Sequence, residues 1–74
     1  MEYMTPREKA IFLIERFGFK GSKVIASHMS EQMGKIALFA STEDVRDEFK
    51  NERFYWDTVL EIIKKEWLQR KLSI

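Results

Sequence analysis

The 74-residue chain has no cysteine, one histidine, one proline and three glycines. Without cysteine no disulfide can staple it, and a single imidazole excludes the usual Cys/His zinc sets. Neither sign of charge dominates: 13 Lys and Arg stand against 12 Asp and Glu, a formal net charge of +1. No overall field therefore steers the chain toward nucleic acid, an anionic membrane or an acidic substrate. Long apolar runs are also missing. Ile36 to Ala40 is five residues, where a bilayer span needs ~20, and no basic-then-apolar signal segment opens the chain. The expectation is a soluble, cytoplasmic protein with no membrane partner. With no repeat, low-complexity tract or proline-rich linker to divide it, residues 1–74 read as one small helical domain.

What is present is a globular composition, 45% apolar, 14% aromatic and 34% charged. Thr5-Pro6-Arg7-Glu8 is a helix start: Thr5 caps the orphan donors, Pro6 suits the first helical position, and Glu8 closes a capping box. Ala10, Ile11, Leu13, Ile14 and Phe17 follow at helical spacing and Gly18 is placed to stop them, which predicts a first helix over about 6–17. Residues 18–23 hold two glycines and read as a loop with Phe19 tucked onto the core. Val24, Ile25, Met29, Met33, Ile36, Ala37 and Ala40 predict a middle helix over about 24–50, despite the cost of Gly34; either Ser22 or Ser30 could cap its start, and residues 23–27 are β-branched enough to be extended instead. Ser41-Thr42-Glu43-Asp44 resembles a second capping box, so this helix either bends near Ser41 or divides there, and it stops near Asn51. Trp56, Val59, Leu60, Ile63 and Trp67 predict a last helix over about 52–69. The fold class is all-α: an antiparallel three-helix bundle, or four helices if the middle one breaks. The expected core is Ile14, Phe17, Met33, Ile36, Ala40, Trp56, Val59, Leu60, Ile63 and Trp67.

Chemistry-bearing constellations are sparse. His28 has Glu31 and Gln32 one turn away, a weak pairing that suits a surface histidine better than a catalytic one. Glu43, Asp44, Asp47 and Glu48 make an acidic cluster without the glycine and spacing of a calcium loop. There is no phosphate-binding glycine loop and no nucleophile elbow. The expectation is a protein that is not an enzyme and takes no cofactor or metal. Residues 24–36 have a faint helix-turn-helix character that would offer Gln32 and Lys35 to base edges with Lys23 nearby, so a small DNA-binding regulator is the alternative function. The better clue is aromatic. Phe54, Tyr55, Trp56 and Trp67 exceed what one helix face of a small core consumes, and Phe12 lies off its own helix's stripe. Phe12, Tyr55 and Phe54 are therefore candidate partner contacts, with Arg70 in a basic tail beside them. A homo-oligomer is expected, because the core of so short a chain is small.

Thr5-Pro6-Arg7-Glu8-Lys9-Ala10 with Leu13-Ile14 and Phe17, then Ile36-Ala37-Leu38, then Tyr55-Trp56 with Val59 and Ile62, resemble the small helical proteins of unknown function encoded by tailed phages and integrated prophages. Those proteins typically open Thr-Pro-Lys-Glu-Lys-Ala and end on a Tyr-Trp-x-x-Val helix. The resemblance implies a three-helix fold and a phage accessory setting inside a bacterial host cell, and it transfers no site residues. It also implies action by binding a host protein, a defence component among them.

Overall fold

The computed structural model describes residues 4–72. Among them the chain is all-α, with α1 at Pro6–Leu38 and α2 at Glu43–Leu72 packed against each other. The expectation of three or four helices is thus corrected to two, and both differences have local causes. Residues 18–23 are not a loop: one residue, Gly18, takes a non-helical conformation (φ 74°, ψ 175°) and the helix resumes at once. Asn51 does not end a helix either. Its weak helix propensity costs well under ~1 kcal/mol, too little to stop a helix whose apolar side chains Phe49, Trp56 and Val59 lie on both sides of it. The division expected near Ser41 is where the two helices part, at residues 39–42.

Both starts are capped by threonine. Thr5 Oγ1 accepts from the Glu8 amide at 3.2 Å while the Thr5 amide donates to the Glu8 carboxylate at 3.1 Å, completing the first capping box. Those hydrogen bonds, the one from the Thr5 amide foremost, hold the Glu8 carboxyl below the usual carboxylate range. At the second start Thr42 Oγ1 accepts from the Val45 amide at 3.3 Å. The reciprocal half is absent there, because Val45 stands where a box needs Glu or Gln.

The kink at Gly18 folds the two arms of α1 onto one partner. In the longer arm, residues 19–38, Gly34 lies beside Arg53, Ser30 donates to Asp57, and Phe19 lies under Arg70. As one chain advances the other retreats, so this arm is antiparallel to α2. In the shorter arm Arg7 reaches Glu66 at 3.8 Å, Lys9 lies 5.9 Å from the Trp56 ring, and the Met4 carbonyl just before it accepts from the Tyr55 hydroxyl at 2.8 Å. Residues 6–17 therefore turn back along α2 instead of running on past its end.

The core is where three surfaces meet: Ala10, Leu13 and Ile14 from the short arm, Ala26 from the long arm, and Val59 and Ile63 from α2. Burying a side chain such as Val59 or Ile63 contributes about 1.5–3 kcal/mol. The long arm faces α2 with small residues: Ser22, Ala26, Ser30 and Ala37 are buried, the first three one helical turn apart. Small side chains let the backbones approach closely. Both buried hydroxyls are satisfied, Ser22 by the Phe19 carbonyl at 2.9 Å and Ser30 by Asp57.

Several expected core residues face outward instead. Phe17 is 54% exposed, Ile36 41% and Trp67 45%, while Met33, Ala40, Trp56 and Leu60 are half-buried. The long arm buries the small residues Ser22, Ala26, Ser30 and Ala37 in place of Met33 and Ile36. The result is long and thin, 49 × 24 × 17 Å with a radius of gyration of 13.7 Å, where a compact 74-residue domain has about 11 Å.

Candidate interaction surface

Of the candidate contacts, Phe12 and Tyr55 have partners within the chain. Phe12 is half-buried against the core, with Arg16 4.8 Å and Lys9 5.6 Å from its ring centroid. Its off-stripe position is thus explained by cation–π cover from the preceding and following turns of its own helix. Tyr55 is half-buried, meets Trp56 edge-on at 5.6 Å and donates to the Met4 carbonyl. Burial pushes its phenol above the usual value, and the charges of Glu52 and Glu8 push it the same way. Arg70 lies over the Phe19 ring at 5.0 Å. Phe54 is the one of the four that stands clear, at 73% exposure.

The DNA-reading candidates are not assembled into a motif. No turn interrupts α1 between residues 19 and 38, so the helix-turn-helix character of residues 24–36 is corrected to one continuous helix. Gln32 is half-buried on it, Lys35 pairs with Glu31 at 3.3 Å, and Lys23 belongs to a different patch described below. His28 is exposed on the outer side of α1. Among the described residues no group of three His, Cys, Asp or Glu is placed to hold a metal ion, and no helix is long and apolar enough to cross a membrane.

Apart from Phe54 and Ile11, most of the exposed apolar side chains lie toward the two ends of the molecule. At the turn end Leu38 is 79% and Phe39 87% exposed. The backbone beneath them is held: the Phe39 amide donates to the Ile36 carbonyl at 3.2 Å and the Ala40 amide to the Ala37 carbonyl at 3.3 Å. Glu43, Asp44, Asp47 and Glu48 are exposed just beyond, against Arg46 and Lys50, so this end is acidic. The sequence signal for it was present. The apolar pair Leu38-Phe39 stands one residue before the cap residues Ser41-Thr42, and an apolar pair at a break has no helix face to hide it.

The opposite end, around the Gly18 kink and the last turns of α2, is basic. A cleft of about 260 Å³ lies there, lined by Phe19, Ile63 and Trp67 with Lys20, Lys23 and Lys64. Lys71 covers the Trp67 ring at 5.0 Å, as Arg70 covers Phe19. The formal net charge of +1 thus conceals a molecule polarised along its length.

No family model, curated protein or solved structure matches the chain.

Proposed function

We propose that this chain is a non-enzymatic accessory protein, of the phage type its sequence resembles, which acts in the cytoplasm of a bacterial host by protein–protein contact made through its turn end. The observation that supports this is the exposure of Leu38 and Phe39, at 79% and 87%, on a turn held by its own backbone hydrogen bonds. Large apolar side chains in such a place contribute nothing to the core. On a fixed backbone they lose little freedom when a partner covers them, and aromatic side chains are favoured at the energetic centres of interfaces. The acidic residues around them select for a basic partner surface. A host protein, a defence component among the candidates, is the partner the resemblance suggests.

The test is affinity capture from nuclease-treated bacterial lysate, with bound proteins quantified by mass spectrometry, for the wild type and a Leu38→Ser/Phe39→Ser variant. One host protein recovered near stoichiometrically with the wild type, and at least tenfold less with the variant, is the expected result. Equal recovery by both removes the turn end from the interaction. An unchanged effect of His28→Ala on any cellular activity would agree with a non-enzymatic role; its loss would oppose it.

A further inference from the structure

We infer that the turn end of one copy docks into the lysine-rimmed cleft of a second copy, so that this chain is its own partner; the inference rests on the contact reading above and names an occupant for that surface. The turn end carries Leu38 and Phe39 beside Glu43, Asp44, Asp47 and Glu48, an apolar anchor next to carboxylates. The cleft has the inverse character, an apolar floor of Phe19, Ile63 and Trp67 with Lys20, Lys23 and Lys64 around it. Its volume of about 260 Å³ falls below the ~300–1,000 Å³ of small-molecule sites and suits one or two inserted side chains.

The two surfaces cannot meet within one copy. The start of α2 carries the acids and Ile63, Lys64 and Trp67 line the cleft, a separation of about 30 Å along a helix rising ~1.5 Å per residue. Two turn ends repel each other, as do two clefts, which leaves the unlike pairing. The area is also sufficient. The chain exposes 5896 Å², about a fifth more than the roughly 4,800 Å² of a compact monomer of this mass. That surplus is of the order of the ~800 Å² each partner contributes to a standard interface. Each copy presents one turn end and one cleft, so every contact pairs unlike surfaces, whether two copies exchange both contacts or share one.

This asymmetry supplies the test. Sedimentation velocity of the full chain over rising concentration should show assembly of the wild type, weakening as salt screens the charges. Phe39→Asp disables only the turn end and Lys23→Glu/Lys64→Glu only the cleft, all at exposed positions, so circular dichroism should show both variants as helical as the wild type. Each variant alone should lose the assembled species. Mixed in equal amounts they should regain a two-chain species, since one retains a working cleft and the other a working turn end. A wild type that stays monomeric up to about 100 μM, a binding strength too weak to matter, overturns the inference, and so does a mixture that stays monomeric. If the wild type is monomeric but Leu38→Ser/Phe39→Ser still abolishes host capture, self-docking falls and the contact reading stands. If assembly follows the mixing rule while host capture is indifferent to that substitution, the host-protein reading falls and self-docking stands.

Discussion

Tyr55 shows how one side chain ties the chain's beginning to its middle. Its ring packs against the core cluster and its hydroxyl donates to the Met4 carbonyl, 51 residues away in sequence. Burial, then Glu52, then Glu8 raise its phenol above the usual value of 10.0. The folded chain therefore holds this proton more tightly than the unfolded chain does. The stabilising effect is complete below pH ~10, where the unfolded phenol is still protonated, and it is lost as pH rises through the raised value. In a Tyr3→Phe chain, where Tyr55 is the sole phenol, the tyrosinate absorbance should appear at a higher pH than in free tyrosine. Appearance at or below the pH of free tyrosine would contradict the burial. Neither the hydroxyl's partner nor the cover over Phe12 was legible in the sequence beyond the fact that both aromatics stand out. Cation–π contacts from Lys9 and Arg16 turn an apparently spare ring into a satisfied one.

At the scale of the elements, the starts were legible and the continuations were not. Thr5-Pro6-Arg7-Glu8 announces α1 because a capping box is local chemistry, complete within four residues. Gly18 was legible as a stop, but a glycine signals only that the backbone departs from the helix there, not whether it returns. The long arm of α1 was misread in another way. Its buried face is Ser22, Ala26, Ser30 and Ala37, and a search for large apolar side chains passes over small ones that are buried because the partner helix comes close. The two glycines of the long helix α1 that differ most make opposite predictions. Gly18 has open space around it, yet its φ of 74° with ψ of 175° lies in a region essentially reserved for glycine, so Gly18→Ala should cost about 1–3 kcal/mol. Gly34 is helical, and an added methyl would meet the guanidinium and the adjoining Cδ of Arg53 at 3.1–3.3 Å. That side chain is more than half exposed and can swing away, so Gly34→Ala should be neutral or stabilise by up to about 1 kcal/mol. Thermal unfolding of the pair should order them with Gly18→Ala well below Gly34→Ala. The reverse order would mean that the kink is not there.

The whole molecule divides its apolar residues between two uses. Among the described residues four large buried side chains, Leu13, Ile14, Val59 and Ile63, carry the core with three alanines, while twelve large apolar residues are exposed. That imbalance follows from the shape. A helix pair 49 Å long and 17 Å across its thinnest dimension has too little interior to bury the apolar content of its sequence, so the remainder stays on the surface, much of it toward the ends. Composition made this surplus visible, as an excess of aromatics over what a small core consumes, but not its location, because Phe17 and Trp67 occupy stripe positions that the structure leaves about half exposed. Phe12 packs against the core while Phe39 stands in solvent, and the proposed contact depends on that division of roles. The most direct measurement is equilibrium unfolding of Phe12→Ser and Phe39→Ser side by side at a protein concentration low enough to keep the chain monomeric. Phe39→Ser should stay within about 0.5 kcal/mol of the wild type, as exposed substitutions do, while Phe12→Ser should lose about 1–3 kcal/mol through its core contacts and cation–π cover. A Phe39→Ser chain destabilised as much as Phe12→Ser would contradict the claim, because the turn end would then be part of the core and not a surface held out for contact.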